Sequence, residues 1–362
     1  MSTTSGTFDE RGGAISWRSG SFFYLICILF GSLIILLQFL ALRSVIIVRG
    51  RTYSHDRLRN SKELPAEWRP FLRPQSDSLP PLWLMIFRAI TVAPFKFLGI
   101  LGFVFVAAGS AWITSPKISL RIAHICGNVV GWLAGVSAIN WRGKAASVKD
   151  APLVVANHIS WIDFIILGAT LNFGFVMSEG VSNVPLIGPG FKQLALHVGS
   201  IVVDRHNAKS REGAKLQIKA RLDSLRALGQ GERLLIFCEG TLTNSEFVVP
   251  FKLGAFENLA PTQALRLEFS NPHFSLACLG VLEGTLFFLT LGSTELTFTW
   301  GEPVQPDSKD TPESLARKVQ VSLVKGSKML PANEGSYRDH LALFASGLSA
   351  VSENKMKAKS SS

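Results

Sequence analysis

Cysteine is scarce in this chain: four occur among 362 residues, at positions 27, 126, 238 and 278, and no two form a C-x-x-C pair. That spacing excludes a disulfide framework and a cysteine-based zinc site, and it suits a globular part held in a reducing compartment. Charge is scarce as well, at 17% of residues. Acidic charge is the scarcer sign: 26 Asp and Glu stand against 37 Lys and Arg, for a formal net charge of +11. A basic balance favours either nucleic acid or an anionic lipid surface. The apolar runs of this chain favour lipid, so no nucleic-acid partner is expected. Internal repeats and N-x-[ST] sequons are also lacking.

Long hydrophobic runs are present, and they concentrate in the first 140 residues. Residues 1–20 are rich in Ser, Gly and Thr and are expected to be disordered. Ser21 to Leu42 follows without a single charge. At ~1.5 Å per residue it is long enough for a hydrocarbon core of ~30 Å. The run passes directly into Arg43, Arg49 and Arg51 rather than a small-residue cleavage site, which predicts a retained anchor over residues 21–42. A basic linker is read over 43–81. From Arg43 to Arg73 it holds eight Arg or Lys and three acidic residues, and Pro65, Pro70 and Pro74 argue against long helices there. Leu82 to Ile113 is apolar but interrupted by Arg88, Pro94 and Lys96, which predicts a helix–break–helix hairpin or re-entrant segment. Residues 118–139, with Arg121, His124 and Asn128, are expected to lie along the interface, so that 82–140 forms one membrane-associated region. Positive-inside counting places the basic linker in the cytosol, and a re-entrant second segment keeps the C-terminal two thirds of the chain on the same side.

From about Trp141 the pattern changes. Short apolar runs at 153–156, 173–177, 200–204, 234–238, 264–269 and 295–300 read as buried strands. Residues 162–171, 209–228 and 311–328 have helical spacing. The alternation predicts an α/β layered domain over 141–345, followed by a disordered tail at 346–362.

"VVANHISWIDFIILG", residues 154–168, places one histidine and one aspartate in an apolar run. In a continuous helix His158 and Asp163 would sit ~140° apart and not meet. A turn between strand and helix brings them together, and Ser160-x-x-Asp163 before an apolar run reads as a capping box that provides one. Asp163 would then orient His158 as a general base, or would only cap the helix.

"NHISWID" resembles the N-H-x-S-x-x-D signature of the glycerolipid acyltransferase family, which takes in lysophosphatidic acid and lysophospholipid acyltransferases. Three further stretches are similar to that family's later blocks, in the same order: "GSIVVDR" ending at Arg205, "FCEGTLTN" with Glu239, Gly240 and Thr241, and "VPFKLGAF" with Pro250, Lys252 and Gly254. The resemblance covers about residues 141–303. Cys238 and Leu242 depart from the bacterial F-P-E-G-T-R pattern, while "EGTLTN" is closer to the eukaryotic lysophospholipid branch.

The resemblance implies an α/β fold with a mixed sheet and flanking helices, preceded by an N-terminal membrane-anchoring helical region. It implies acyl transfer from acyl-CoA, as co-substrate, to a lysophospholipid, with no cofactor and no metal. Catalysis would fall to His158 and Asp163. Substrate binding would fall to Arg205, Glu239, Gly240, Thr241, Thr243, Asn244, Pro250 and Lys252. Lysophosphatidic acid is the first acceptor expected and lysophosphatidylcholine or lysophosphatidylethanolamine the second, at the endoplasmic reticulum membrane or lipid droplet with the site facing the cytosol. Two other classes remain open: a Cys–His thioesterase built on Cys238, and a non-catalytic lipid-binding protein.

Overall fold

The computed structural model describes residues 13–61, 64–204 and 207–345. The expected disorder at 346–362 and at most of 1–20 lies outside the described residues. Helix α1 covers Gly13–Arg59. It does not stop near Leu42 but runs on through the basic stretch, contrary to the break expected there. The reason is a buried stripe: Ala41, Val45, Val48, Thr52, His55 and Leu58 follow one helix face and are all buried. The prolines act only later, where a short 3-10 turn at Ala66–Phe71 replaces the helix. Helix α2 (Leu82–Thr91) and helix α3 (Ala93–Ile113) are separated by a break at Val92, just before Pro94. Helix α4 covers Pro116–Ala134 and ends on Gly135.

Strand β1 (Val136–Arg142) then opens the sheet, ahead of the domain start expected at 141. The rest of the chain alternates: β2 (Leu153–Ala156), α5 (Ile162–Thr170), β3 (Gly174–Ser178), α6 (Glu179–Ser182), α7 (Gly188–His197), β4 (Ile201–Val203), α8 (Ala208–Leu228), β5 (Leu234–Phe237), β6 (Phe247–Val248), β7 (Thr262–Phe269), α9 (Val281–Phe288), β8 (Thr294–Val304), α10 (Pro312–Val324), β9 (Leu330–Pro331) and α11 (Tyr337–Ala345). Seven strands form one sheet in the order β1-β8-β7-β2-β5-β3-β4. Every pair is parallel except β7 with β8, so the sheet is mixed, with helices on both faces.

Central strand β2 is buried on both sides, as four consecutive apolar residues require. Leu153 and Val155 face the core under α8 and α10, while Val154 and Ala156 face the core shared with α3, α4 and α5. Helix α8 buries Ala214, Ile218, Leu222 and Leu225, is capped by Asn207 and ends on left-handed Gly229.

Among the described residues two helices, α1 from Tyr24 and α3, are long and apolar enough to cross a membrane. Trp83, Trp112, Ile113, Ile125 and Trp132 all stand exposed on α2, α3 and α4. The far end of α1 is tied to the α/β domain through ion pairs of Arg51 with Glu283 and Arg59 with Glu246. Arg88, in sequence a charge that hinders insertion, donates to the carbonyls of Thr290 and Leu291 just past α9. The basic segment and the domain therefore lie together as one unit.

Candidate active site

The end of β2 is fixed by Asn157. Its amide donates to the carbonyl of Leu267 at 3.0 Å and its oxygen accepts from the Leu267 N–H at 2.8 Å, which clamps the loop to β7. His158 comes next, stacked on Phe237 with ring centroids 4.2 Å apart and its side chain 23% exposed. Its Nδ1 lies 3.0 Å from Asp163 Oδ2. Asp163 is fully buried, and the same oxygen accepts from the backbone N–H of Ile159 at 2.6 Å and of Ser160 at 2.8 Å. Nδ1–H is thus directed at the carboxylate, and Nε2 is left unprotonated as the basic nitrogen. The capping box forms only in half. Asp163 reaches back to the Ser160 N–H, whereas Ser160 Oγ is buried and has no partner among the described residues.

The third block is wired to the first through the backbone. Glu239 Oε1 accepts from the His158 N–H at 2.9 Å and Oε2 from the Val249 N–H at 3.1 Å, while the Thr243 N–H donates to the His158 carbonyl at 3.0 Å. Glu239 is fully buried with both oxygens engaged by backbone N–H groups, an arrangement that ties the His158 loop to the third block. Thr243 is buried beside it. Asn244 is buried, and its side chain donates to the Arg69 carbonyl and accepts from the Glu246 N–H. Gly240, at φ +66, and Thr241 stay with His158. The exposed Lys252 lays its side chain over Gly240, within 3.4 Å of where a Cβ would stand, and its N–H holds the Cys238 carbonyl. Pro250 is half-buried on the approach to Lys252. Arg205 lies outside the described residues.

Burial pushes Glu239 up to about 8, partly opposed by the hydrogen bonds it accepts. Between the ordinary carboxyl range and pH 8 the folded state therefore binds the extra proton, and stability falls as pH rises through that window. Buried histidines such as His273 and His340, pushed down to about 3 and about 4, contribute in the opposite direction, so the Glu239 contribution is read as a difference. The thermal stability of wild type relative to Glu239→Gln is expected to fall between pH 5 and pH 8. Glu239→Ala, which orphans two backbone N–H groups at ~1–3 kcal/mol each, is expected to lower turnover with little change in substrate KM. A selective rise in the lysolipid KM would instead return Glu239 to substrate binding.

His158, Gly240 and Thr241 open into a largely apolar cleft of about 520 Å³. Its walls include Phe103 of α3, Val130 of α4, Phe164 of α5 and Phe191 of α7. The cleft depends on close helix packing, for a Cβ on Gly190 would stand 2.4 Å from the Ala108 carbonyl. Cys238 is buried and its thiol is held well above the ordinary range by burial and by Glu239, which suits packing and not nucleophilic attack. One contributor to the cleft carries no motif: His340 of α11, whose Nδ1 lies 2.9 Å from Thr241 Oγ1. Asn157 and Phe237 do lie in the first and third motif blocks, but their roles as clamp and stacking face are not readable there, because each acts through a partner distant along the chain.

Residues 138–265 match the family model described as Acyltransferase. The chain is 32% identical over 167 residues to the lysophospholipid acyltransferase LPEAT2 of Arabidopsis thaliana, covering 46% of this chain and 30% of that protein. It is 28% identical over 185 residues to a lysophosphatidylcholine acyltransferase of Drosophila melanogaster, covering 51% of this chain and 33% of that protein. The chain thus spans about a third of the length of these curated relatives. A solved structure, the 1-acyl-sn-glycerophosphate acyltransferase PlsC of Thermotoga maritima, aligns at 17% identity and a TM-score of 0.44, covering 68% of this chain and 93% of that one.

Proposed function

We propose, from the match of residues 138–265 to the Acyltransferase family model, that the chain is a glycerolipid acyltransferase that esterifies a lysophospholipid with an acyl group taken from acyl-CoA. The observation that carries this reading is the His158–Asp163 pair, with its basic Nε2 beside a largely apolar cleft. His158 takes the proton of the acceptor's glycerol hydroxyl, and that oxygen attacks the thioester carbonyl. The tetrahedral intermediate collapses to the ester and the CoA thiolate, which recovers the proton from the imidazolium. The apolar cleft takes the acyl chain, and Thr241 with Lys252 faces the acceptor's phosphate.

Lysophosphatidylcholine and lysophosphatidylethanolamine are favoured as acceptors by the "EGTLTN" block and by the names of the relatives. Lysophosphatidic acid is the second reading. Microsomal membranes holding the full chain are assayed with one acyl-CoA against a panel of these lysolipids. Ester product supports the proposal, and the preferred headgroup selects between the readings. Release of free fatty acid alone would turn the assignment to a thioesterase, and no turnover at all to lipid binding.

We further infer that the site faces the cytosol at the endoplasmic reticulum or a lipid droplet, where acyl-CoA is supplied. Support comes from the ion pairs that hold the basic end of α1 to the domain, combined with the positive-inside rule. Because the chain has no sequon, introduced ones report cleanly. A sequon near residue 10 is expected to be glycosylated and one near residue 355 is not. Glycosylation near residue 355 would put the site in the lumen.

A further inference from the structure

His340 is linked at both ring nitrogens. Its Nε2 lies 3.0 Å from the backbone N of Cys278, and its Nδ1 lies 2.9 Å from Thr241 Oγ1. A backbone N–H can only donate, so Nε2 must be the acceptor and the ring proton must sit on Nδ1. Burial pushes His340 down to about 4, which keeps the ring neutral at physiological pH and preserves this tautomer. Phe71 stacks on the ring at 5.3 Å and 15°, fixing its plane. Nδ1–H therefore donates to a lone pair of Thr241 Oγ1. The threonine's own proton is turned away from His340, and Thr241 lines the cleft beside His158.

We infer that His340 is a positioning residue of the transfer reaction: through Nδ1–H it orients the Thr241 hydroxyl so that its proton is donated to an anionic phosphate oxygen of the lysophospholipid acceptor. The inference rests on the acyl-transfer reading above. The loop that supplies the Cys278 N–H is itself held in place. The Cys278 carbonyl accepts from Arg51, the Leu276 N–H donates to the Ile159 carbonyl, and Ser275 Oγ donates to the Thr243 carbonyl. Helices α1 and α11 thus converge on one hydroxyl of the third block.

The test uses the full chain in microsomal membranes, normalised to protein amount, with oleoyl-CoA and a lysophosphatidylcholine varied separately. Asparagine places its amide nitrogen where Nδ1 stands, whereas glutamine reaches only to Nε2. His340→Asn is expected to keep kcat/KM for the lysolipid within about threefold of wild type. His340→Gln and His340→Ala are expected to lose about 10–100-fold, with the KM for oleoyl-CoA unchanged. An equal loss for Asn and Gln, or parallel shifts in both substrates' KM, would overturn the inference. Should Gln and Ala fail to accumulate, Thr241→Val keeps the shape without the hydroxyl and must alone reproduce the acceptor-specific loss. Wild-type acceptor kinetics in Thr241→Val would overturn it. A wild type that transfers no acyl group defeats the acyl-transfer reading itself, while an active wild type with unaffected variants defeats only the role of His340.

Discussion

Replacing His158 with alanine is expected to lower acyl transfer by ~10²–10⁴-fold, the range for loss of a general base. The chain should still accumulate in membranes, because the ring is partly exposed, stacks on Phe237 alone among the described residues, and leaves Asp163 Oδ2 with the Ile159 and Ser160 N–H donors when its own hydrogen bond is lost. The loop around it is held by other groups. Glu239 keeps the His158 N–H, Thr243 keeps its carbonyl and Asn157 keeps the strand end, and none of these uses the imidazole. Folding and catalysis are therefore separable at this position. Turnover is measured at saturating acyl-CoA and lysolipid, with protein amount read by immunoblot. Activity within a few fold of wild type would remove the base from the mechanism.

That separability is only partly legible in the sequence. "LVVA" reads as a buried strand at 153–156 because four apolar residues have no polar face to offer, and β2 occupies that span. The periodicity of α8 is equally local and marks the helix to within a residue. Strand β1 is hidden, since most of its residues are exposed and it follows the apolar α4 without a polar break. The continuation of α1 is hidden too. Its arginines suggest a solvated linker, and the stripe from Ala41 to Leu58 becomes meaningful only once α9 and the domain are there to cover it. Within the site, the motif positions are legible as a set but their roles are not. Glu239 and Asn244 are expected to contact substrate because they lie in the third block of the family resemblance. Their partners, the Val249 N–H and the Arg69 carbonyl, are brought to them only by the fold. His340 cannot be singled out at all, since Thr241 and Cys278 reach it from other elements.

The pairing of His158 with Asp163 can be resolved into charge and geometry. All three donors to the carboxylate converge on Oδ2: His158 Nδ1–H and the N–H groups of Ile159 and Ser160. Oδ1 is buried without a hydrogen-bond partner among the described residues. An asparagine can therefore place its oxygen at the Oδ2 position and its NH₂ at the Oδ1 position, keeping all three hydrogen bonds. Asp163→Asn should fold and hold the His158 ring in place while removing the negative charge. If Asp163 were only the cap of α5, this variant would retain full activity. If it stabilises the imidazolium formed as the acceptor's proton is taken, turnover should fall by up to ~10⁴-fold, the loss seen when a serine-protease triad has its orienting carboxylate replaced by the amide. Asp163→Ala should fall at least as far and also lose stability, because the three donors are left unpaired at ~1–3 kcal/mol each. The decisive comparison is between Asn and wild type at equal membrane amounts. A drop in Asn without a drop in thermal stability assigns the loss to charge, and full activity in Asn reduces Asp163 to a cap.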